Sequence, residues 1–244
     1  MRPATPEKFY DPLYIKQLFN EMSATYGVVN LVSSFGFAWL WRRQCVRLAA
    51  LKPAARVGDF MSGQGEAWPQ VLAAIGSGGQ VFAFDISSRM VELSLLTKAY
   101  TRYGNVHPSN QNALVSSLAA SSLDTVISTF GLKTFSEAQL HTLAAEIARV
   151  LRPGGTFALV EISVPASLLL QLPYMFYLEH CIPLIGRLML GNPENYRMLA
   201  QYTRLFKNTR RAQAIFRLAG LETSYSEFFF GCASAIYGTK GLRL

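Results

Sequence analysis

Two glycines and a carboxylate stand close together where a nucleotide-binding unit would place them. Asp59 belongs to a short apolar run that begins at Arg56, and Gly63 and Gly65 follow it. An apolar helix is predicted directly afterwards, over residues 67–75. A strand that turns through glycines into a helix opens a nucleotide-binding α/β unit. Glycine lets backbone approach a ligand, and the helix N-terminus offers free N–H donors.

A second carboxylate, Asp85, ends the next predicted strand, 80–85, and lies 26 residues after Asp59. At such a strand end a carboxylate can accept hydrogen bonds from both ribose hydroxyls. The phosphate-binding patterns GxGxxG and GK[ST] are absent, since Gly65 is followed by Glu66, Ala67 and then a tryptophan. A nucleoside that lacks phosphates and carries an amino-acid tail fits this segment, which indicates S-adenosylmethionine (SAM).

The chain is apolar and its charge is uneven. Half of the 244 residues are hydrophobic and 16% are charged, which is compatible with a large core, an apolar substrate or a membrane-facing surface. Residues 1–56 carry 8 basic and 3 acidic side chains, residues 57–186 carry 6 and 9, and residues 187–244 carry 9 and 3. Aromatic residues near 35–41 lie among the N-terminal basic ones, so an anionic membrane surface is favoured as partner and nucleic acid is not predicted.

The cysteines, the first residues and the most apolar run indicate the cellular location. Cys45, Cys181 and Cys232 form an odd set without a CxxC pair, which predicts buried free thiols in a reducing compartment. The first residues contain no apolar stretch of the signal-peptide kind. Prolines at 165, 173 and 183 interrupt the most apolar run, 156–190, so no spanning helix is predicted there. Peripheral attachment to the cytoplasmic face of a membrane is the expected location.

Strands and helices are predicted to alternate. Residues 9–52 should form two helices, with 25–31 as a loop over the nucleotide site. Arg152–Gly155 is predicted to end a helix. The predicted strands are 56–61, 80–85, a short one at 106, 123–130, 156–161, 222–229 and 233–237, and the other helices are 67–75, 88–103, 136–151 and 209–219. This alternation is typical of an α/β, doubly wound and mostly parallel sheet.

The chain divides into four predicted segments. A helical cap (1–55) precedes a SAM-binding Rossmann-like core (56–163). An apolar, helical lid insertion (164–208) follows, and a last helix and strand pair (209–244) complete the core. Long insertions at the carboxyl ends of strands usually cover a substrate.

Five stretches, in order, resemble the class I methyltransferases that C-methylate ubiquinone and menaquinone precursors, and the resemblance runs nearly end to end. The stretches are residues 26–36, 85–90, 128–133, 150–155 and the late segment 184–200. The resemblance implies a class I methyltransferase fold, SAM as cofactor and a polyprenyl quinone as substrate, and it leaves a homo-oligomer open.

The sequence departs from that family in the glycine loop after the first predicted strand and at Asn112. A small residue is expected where Met61 stands, facing the methionine tail, and Asn112 replaces an acidic residue near the adenine. The loop resembles the rhodoquinone-forming branch. That branch implies transfer of the amino group of SAM, with a divalent metal such as Mn²⁺, in place of a ring methoxy of ubiquinone. Amination is the preferred hypothesis, C-methylation of a precursor is the alternative, and a non-catalytic quinone-binding protein is the third.

Site residues follow from the motifs and the resemblance. Lys133, Tyr196 and Arg197 are the candidates to act on the quinone. The histidines at 107, 141 and 180 are not spaced as metal ligands, so metal-binding residues are not assigned. The predicted cofactor-binding residues are Tyr26, Asp59, Met61, Gly63, Gly65, Asp85, Ile86, Met90, Asn112, Ala113 and Ser128.

Overall fold

The N-terminal segment forms two helices that cover the sheet. A computed structural model describes residues 9–97, 100, 104–189 and 192–242. Helix α1 (Pro12–Ser33) begins at the cap residue Asp11, whose carboxylate accepts from the Leu13 amide, and α2 spans Phe37–Leu48. The predicted loop at 25–31 is wrong. Tyr26 and Val29 continue the buried apolar face of α1, and burial of that face holds the segment helical.

Seven strands of the described residues form one sheet in the order β3-β2-β1-β4-β5-β7-β6, in which β1 to β5 are parallel and β7 is antiparallel to both neighbours. The strand order reverses beside β1, where ligands bind in such sheets. The predicted doubly wound sheet is confirmed. The strands are β1 (Arg56–Phe60), β2 (Gln80–Asp85), β3 (Val106–Asn110), β4 (Leu123–Thr129), β5 (Leu151–Ile162), β6 (Leu221–Phe228) and β7 (Ala233–Lys240).

Helices cover both faces of this sheet. The apolar residues of α2 and α3 (Trp68–Ile75) pack in one core cluster, and those of α5 (Glu137–Val150) and α9 (Arg210–Leu218) pack in another. Helix α4 (Ser88–Ser94) is shorter than the predicted 88–103, of which residues 98, 99 and 101–103 lie outside the described part. Helix α5 ends at Val150, directly before 152–155, as predicted, but β5 begins at Leu151 and not at 156, with an irregular register against β4 between Leu123 and Thr125.

The insertion folds mainly as one long helix and a second helix against it. Helix α6 (Leu168–Phe176), a π-helical turn (Tyr177–Cys181) and α7 (Ile182–Leu188) run on without a break, and α8 spans Pro193–Phe206. The prolines do not interrupt the helix as predicted, because Pro173 is accommodated inside α6 and Pro183 directly after the π-helical turn, as the second residue of α7. Among the described residues, 168–188 is the one helix long and apolar enough to cross a membrane, and 17% of its most apolar 18-residue window is buried.

Cysteine burial agrees in part with the prediction. Cys45 and Cys232 are buried free thiols, whereas Cys181 is half-exposed. Burial raises the pKa of the Cys232 thiol to about 11, so it is protonated at neutral pH. The four-segment division of the chain stays a prediction.

Candidate functional site

The glycine loop after β1 packs on a buried tryptophan. Gly65 has φ +84° and packs so closely on Trp68 that a Cβ there would lie 2.4 Å from the indole. The buried indole N–H donates to Asp59 Oδ2 at 3.0 Å. Asp59 is therefore a support of the loop, and it does not line the adjacent cavity. Trp68 belongs to the core.

Asp85 links the two strand ends of the site. Its Oδ2 accepts from the Gly63 amide and its Oδ1 from the Ser87 amide, both at 2.8 Å. Burial raises the pKa of Asp85 to about 6 and that of Asp59 to about 8, because a buried carboxylate is poorly solvated. Asp85 lines the adjacent cavity, and each of its oxygens has a second lone pair, so the carboxylate is able to accept ribose hydroxyls.

A cleft of about 790 Å³, the first cavity, lies at the carboxyl ends of β1, β2 and β4. The residue from β4 is Thr129, whereas the neighbouring Ser128 points away, because side chains alternate along a strand. Gly65 and Asp59 also lie outside the lining. The predicted cofactor residues that do line this cavity are Tyr26, Met61, Gly63, Asp85, Ile86, Met90, Asn112 and Ala113.

Two charged side chains in the first cavity lack full partners. Arg42 of α2 is buried, its guanidinium lies 5.0 Å from the Phe130 ring centroid, and its Nε has no hydrogen-bond partner. Glu66 Oε2 accepts from the Gln64 amide, while its buried Oε1 has no partner. A guanidinium and a carboxylate in one cavity suit the carboxylate and the ammonium of an amino-acid group. The residues therefore fit the methionine end of SAM.

Arg42 was not among the predicted site residues. In the sequence it is one of several basic residues of an amphipathic helix, where a solvated position is usual. Only the packing of α2 across β4 and β5 brings it to the cavity. Glu66 stands in the glycine loop, but a glutamate at the start of a helix is equally typical of helix-dipole stabilisation.

A second cavity, of about 920 Å³, adjoins the first, and Tyr26 and Phe130 line both. Its wall is mostly aromatic and aliphatic, with Lys133 as its one charged residue among those described. Lys133 Nζ is buried and donates to Glu161 Oε1 and to the Phe130 carbonyl, both at 2.8 Å. Glu161 also accepts from two backbone amides, so this ion pair is held rigidly in the wall.

Tyr196 and Arg197 have partners other than Lys133. The buried Tyr196 hydroxyl is 2.8 Å from Thr25 Oγ1, and its ring packs against Gly186, which makes it a contact between helices. Desolvation raises the pKa of Tyr196. Arg197 is exposed and pairs with Glu194 on the surface. Neither residue lines the first or the second cavity.

Metal ligands are not brought together in the part of the chain that the structure describes. It contains no group of three or more His, Cys, Asp or Glu side chains able to hold a metal ion. Glu179 pairs with Arg204, and His180 stacks on Phe176, so the adjacent Glu179 and His180 do not form a pair. The residues present do not fit a protein-held Mn²⁺.

The fold is shared with solved SAM-dependent methyltransferases. One from Thermotoga maritima has a TM-score of 0.64 at 20% identity and covers 93% of this chain and 99% of its own. One from Aquifex aeolicus has a TM-score of 0.57 at 15% identity, with coverage of 97% and 94%. The predicted class I methyltransferase fold is confirmed.

Sequence relatives are closer. The ubiquinone/menaquinone biosynthesis C-methyltransferase of Teredinibacter turnerae is 28% identical over 227 residues, which is 91% of this chain and 90% of the relative. The demethylmenaquinone methyltransferase of Bacillus cereus is 28% identical over 228 residues, with coverage of 93% and 95%. The sequence profile of the ubiE/COQ5 methyltransferase family matches residues 8–240. This chain therefore belongs to the ubiE/COQ5 methyltransferase family and is a SAM-dependent transferase.

Proposed function

We propose that this protein C-methylates the ring of a polyprenyl quinone precursor, with SAM as the methyl donor. The observation that carries the proposal is the junction of the two cavities. The first cavity is polar where Asp85, Arg42 and Glu66 lie, the second is apolar, and they meet at Tyr26 and Phe130. A donor in one cavity and a flat apolar acceptor in the other would face each other across this junction. The C-methyltransferases among the relatives support the same reaction.

Each part of the site has a distinct task in this proposal. Asp85 accepts the ribose hydroxyls, while Arg42 and Glu66 hold the amino-acid end. When bound, SAM supplies an electrophilic methyl group on its sulfonium. The Lys133 ammonium, fixed by Glu161, stabilises negative charge on a ring oxygen, which makes the adjacent ring carbon nucleophilic. The ring carbon bonds to the methyl group as the bond from that methyl to sulfur breaks, so that S-adenosylhomocysteine leaves, and the ring proton passes to water. The water-poor walls of the second cavity strengthen this electrostatic effect.

Amino transfer is the second candidate, and Met61 is the observation that favours it. Met61 lines the first cavity in the left-handed region, with φ +55°. Its Cβ sits so close to Gly131 that a Cβ on that glycine would be 2.6 Å away. A long side chain fixed beside the amino-acid end would redirect the amine of SAM. In this reaction the amine nitrogen bonds to a ring carbon of ubiquinone, and the methoxy group leaves as methanol. The bond from that nitrogen to Cα of SAM must then break. The step balances if the Cα proton shifts to give an imine of the quinol, which water hydrolyses to the aminoquinol and a 2-oxo acid.

One labelling experiment separates the two reactions. The purified chain, in detergent, receives SAM labelled with ¹³C in the methyl group or ¹⁵N in the amine. The acceptor is either a demethylated quinol precursor or ubiquinone, with and without Mn²⁺, and mass spectrometry reads the products. Methyl label on the precursor supports C-methylation. Nitrogen label in the ring of ubiquinone replaces that proposal with amination. Neither label, in a protein that binds SAM and folds, contradicts both.

A further inference from the structure

The outer face of the long insertion helix is an apolar stripe. Leu169, Leu172, Phe176, Leu184 and Leu188 are exposed, with Leu169 at 91% and Leu172 at 70%. They are separated by three, four, eight and four residues, which places them on one side of the helix. At 1.5 Å per residue the helix is about 30 Å long. A contiguous exposed apolar surface of this length marks an interaction site.

The opposite face of the same helix is fastened to the protein. Met175, Leu178 and Pro183 are buried. The Tyr177 hydroxyl donates to the Ser33 carbonyl at 2.8 Å, and the Tyr174 hydroxyl donates to the Cys232 carbonyl at 3.2 Å. A spanning helix would have to leave these contacts, because lipid surrounds it through the bilayer. A helix held along one side, with an apolar stripe on the other, suits an orientation in the plane of a membrane interface.

The protein-facing side of the same helix borders the second cavity, and the ring of Tyr177 there lies 6.0 Å from that of Phe35. Tyr174, Tyr177 and Leu178 of the helix line that cavity. Phe35 and Phe229 line it as well and are exposed, and Phe230 beside them is 82% exposed. These three phenylalanines, the rim, all have positive φ, a backbone conformation that costs free energy and is therefore rare for aromatic residues. The fold thus pays a backbone cost where apolar rings surround the cavity mouth.

Basic side chains border the apolar stripe. Arg187 lies between Leu184 and Leu188 in sequence, and Lys207 lines a surface groove together with Leu172. Both are exposed, and neither has an ion-pair partner among the described residues. The net charge of the chain is +8. Cations that flank an apolar surface match the anionic head groups of a lipid leaflet, and the apolar side chains match its acyl region.

We propose that the stripe and the rim dock on an anionic lipid bilayer. The helix at 168–188 lies in the plane of one leaflet, and the second cavity opens toward the acyl chains. A prenylated ring is then able to enter from the bilayer without crossing water. The identity of that entering molecule rests on the proposed function, but lipid binding itself does not. The proposal includes the predicted peripheral location on the cytoplasmic face.

Vesicle flotation of the purified full chain tests the proposal. Vesicles of phosphatidylcholine, with or without phosphatidylglycerol, are used without any quinone. The variant L169S/L172S should partition at least about tenfold more weakly onto both kinds of vesicle. The variant R187Q/K207Q should lose about tenfold or more, and only on the anionic vesicles. The matched control is L218S, which removes a 79% exposed leucine from α9 and should bind as the unmodified chain does.

Folding and function are read separately. SAM affinity should be the same in all these variants, because none of the changed residues lines the first cavity. Hydrogen exchange of the unmodified chain should slow at 168–188 when anionic vesicles are added. The proposal is overturned if the unmodified chain does not float, or if L169S/L172S floats equally well. It is also overturned if light scattering shows that the stripe joins two copies instead. Transfer to a short-tailed quinone in detergent, read without vesicles, reports on the proposed function alone.

Discussion

The amino-acid end of the cofactor should be held by Arg42 and Glu66, and this can be tested by removing one charge at a time. Replacement of Glu66 by glutamine keeps its size and removes the carboxylate that faces the cavity with an unpartnered oxygen. A hydrogen bond to a charged group contributes about 1.5–3 kcal/mol, so E66Q should bind SAM about 10- to 150-fold more weakly. Replacement of Arg42 by glutamine should have an effect of the same order.

A matched pair of ligands makes the assignment specific. 5′-Methylthioadenosine carries the adenosine and the sulfur but lacks the amino-acid group. Its affinity, measured by calorimetry, should be unchanged in E66Q and R42Q, since neither residue faces the nucleoside in our assignment. The variant D85N should weaken both ligands, because Asp85 contacts the ribose in either case. S-adenosylhomocysteine serves as the full-length, unreactive ligand.

The refuting result is equally specific. If E66Q and R42Q weaken methylthioadenosine as much as S-adenosylhomocysteine, the two residues shape the cavity and do not recognise the amino-acid group. If neither ligand is affected, the unpartnered atoms are satisfied by water. R42Q also loses the contact with the Phe130 ring, so its melting temperature is compared with that of E66Q to separate packing from charge.

Three further predictions concern pH and the glycine loop. Burial raises the pKa of Asp85 to about 6, and the protonated carboxyl accepts fewer and weaker hydrogen bonds than the carboxylate, so SAM affinity measured by calorimetry should be constant above pH 7 and fall below pH 6. An affinity that does not change down to pH 5 contradicts this. The folded pKa of Asp59 is raised by burial from 3.8 to about 8, so its contribution to stability is lost as pH rises from about 4 to 8. In urea unfolding, the free energy of unfolding of D59N relative to that of the unmodified chain should rise by at most about 1.4 kcal/mol per pH unit between pH 4 and 8. If the free energies of both proteins change equally with pH, the assignment is refuted. G65A should lower the free energy of unfolding by roughly 3 kcal/mol or more, because its Cβ meets Trp68 in addition to the φ cost, whereas G36A, with φ +81°, ψ −7° and open space, should lose only about 1 kcal/mol. Equal losses would show that the tryptophan contact is unimportant.

Local patterns predicted the sheet and the cofactor side of the site. Gly63 and Asp85 were found because a glycine turn and a carboxylate at a strand end are short-range features. The prediction of Ser128 was wrong by one residue, because Thr129 lines the cavity instead. Which face of β4 points to the cavity is set by the strands and helices that pack on it. Arg42 was missed because only tertiary packing distinguishes it from a solvated arginine. The continuity of the helix at 168–188 was missed because its contacts with distant residues outweigh the prolines.

The placement of buried charge connects these observations. Burial of an ionised group costs free energy, and an apolar pair of similar volume is often at least as stable. This chain has few charged residues, yet Arg42 and Lys133 are buried along the line where the two cavities meet, and Asp85 and Glu161 accompany them. Stability alone does not explain such a concentration. Fixed charges that need no reorganisation are what transfer of a charged group onto an apolar ring requires. The buried charges, with their free-energy cost, therefore lie where the chemistry is proposed to occur.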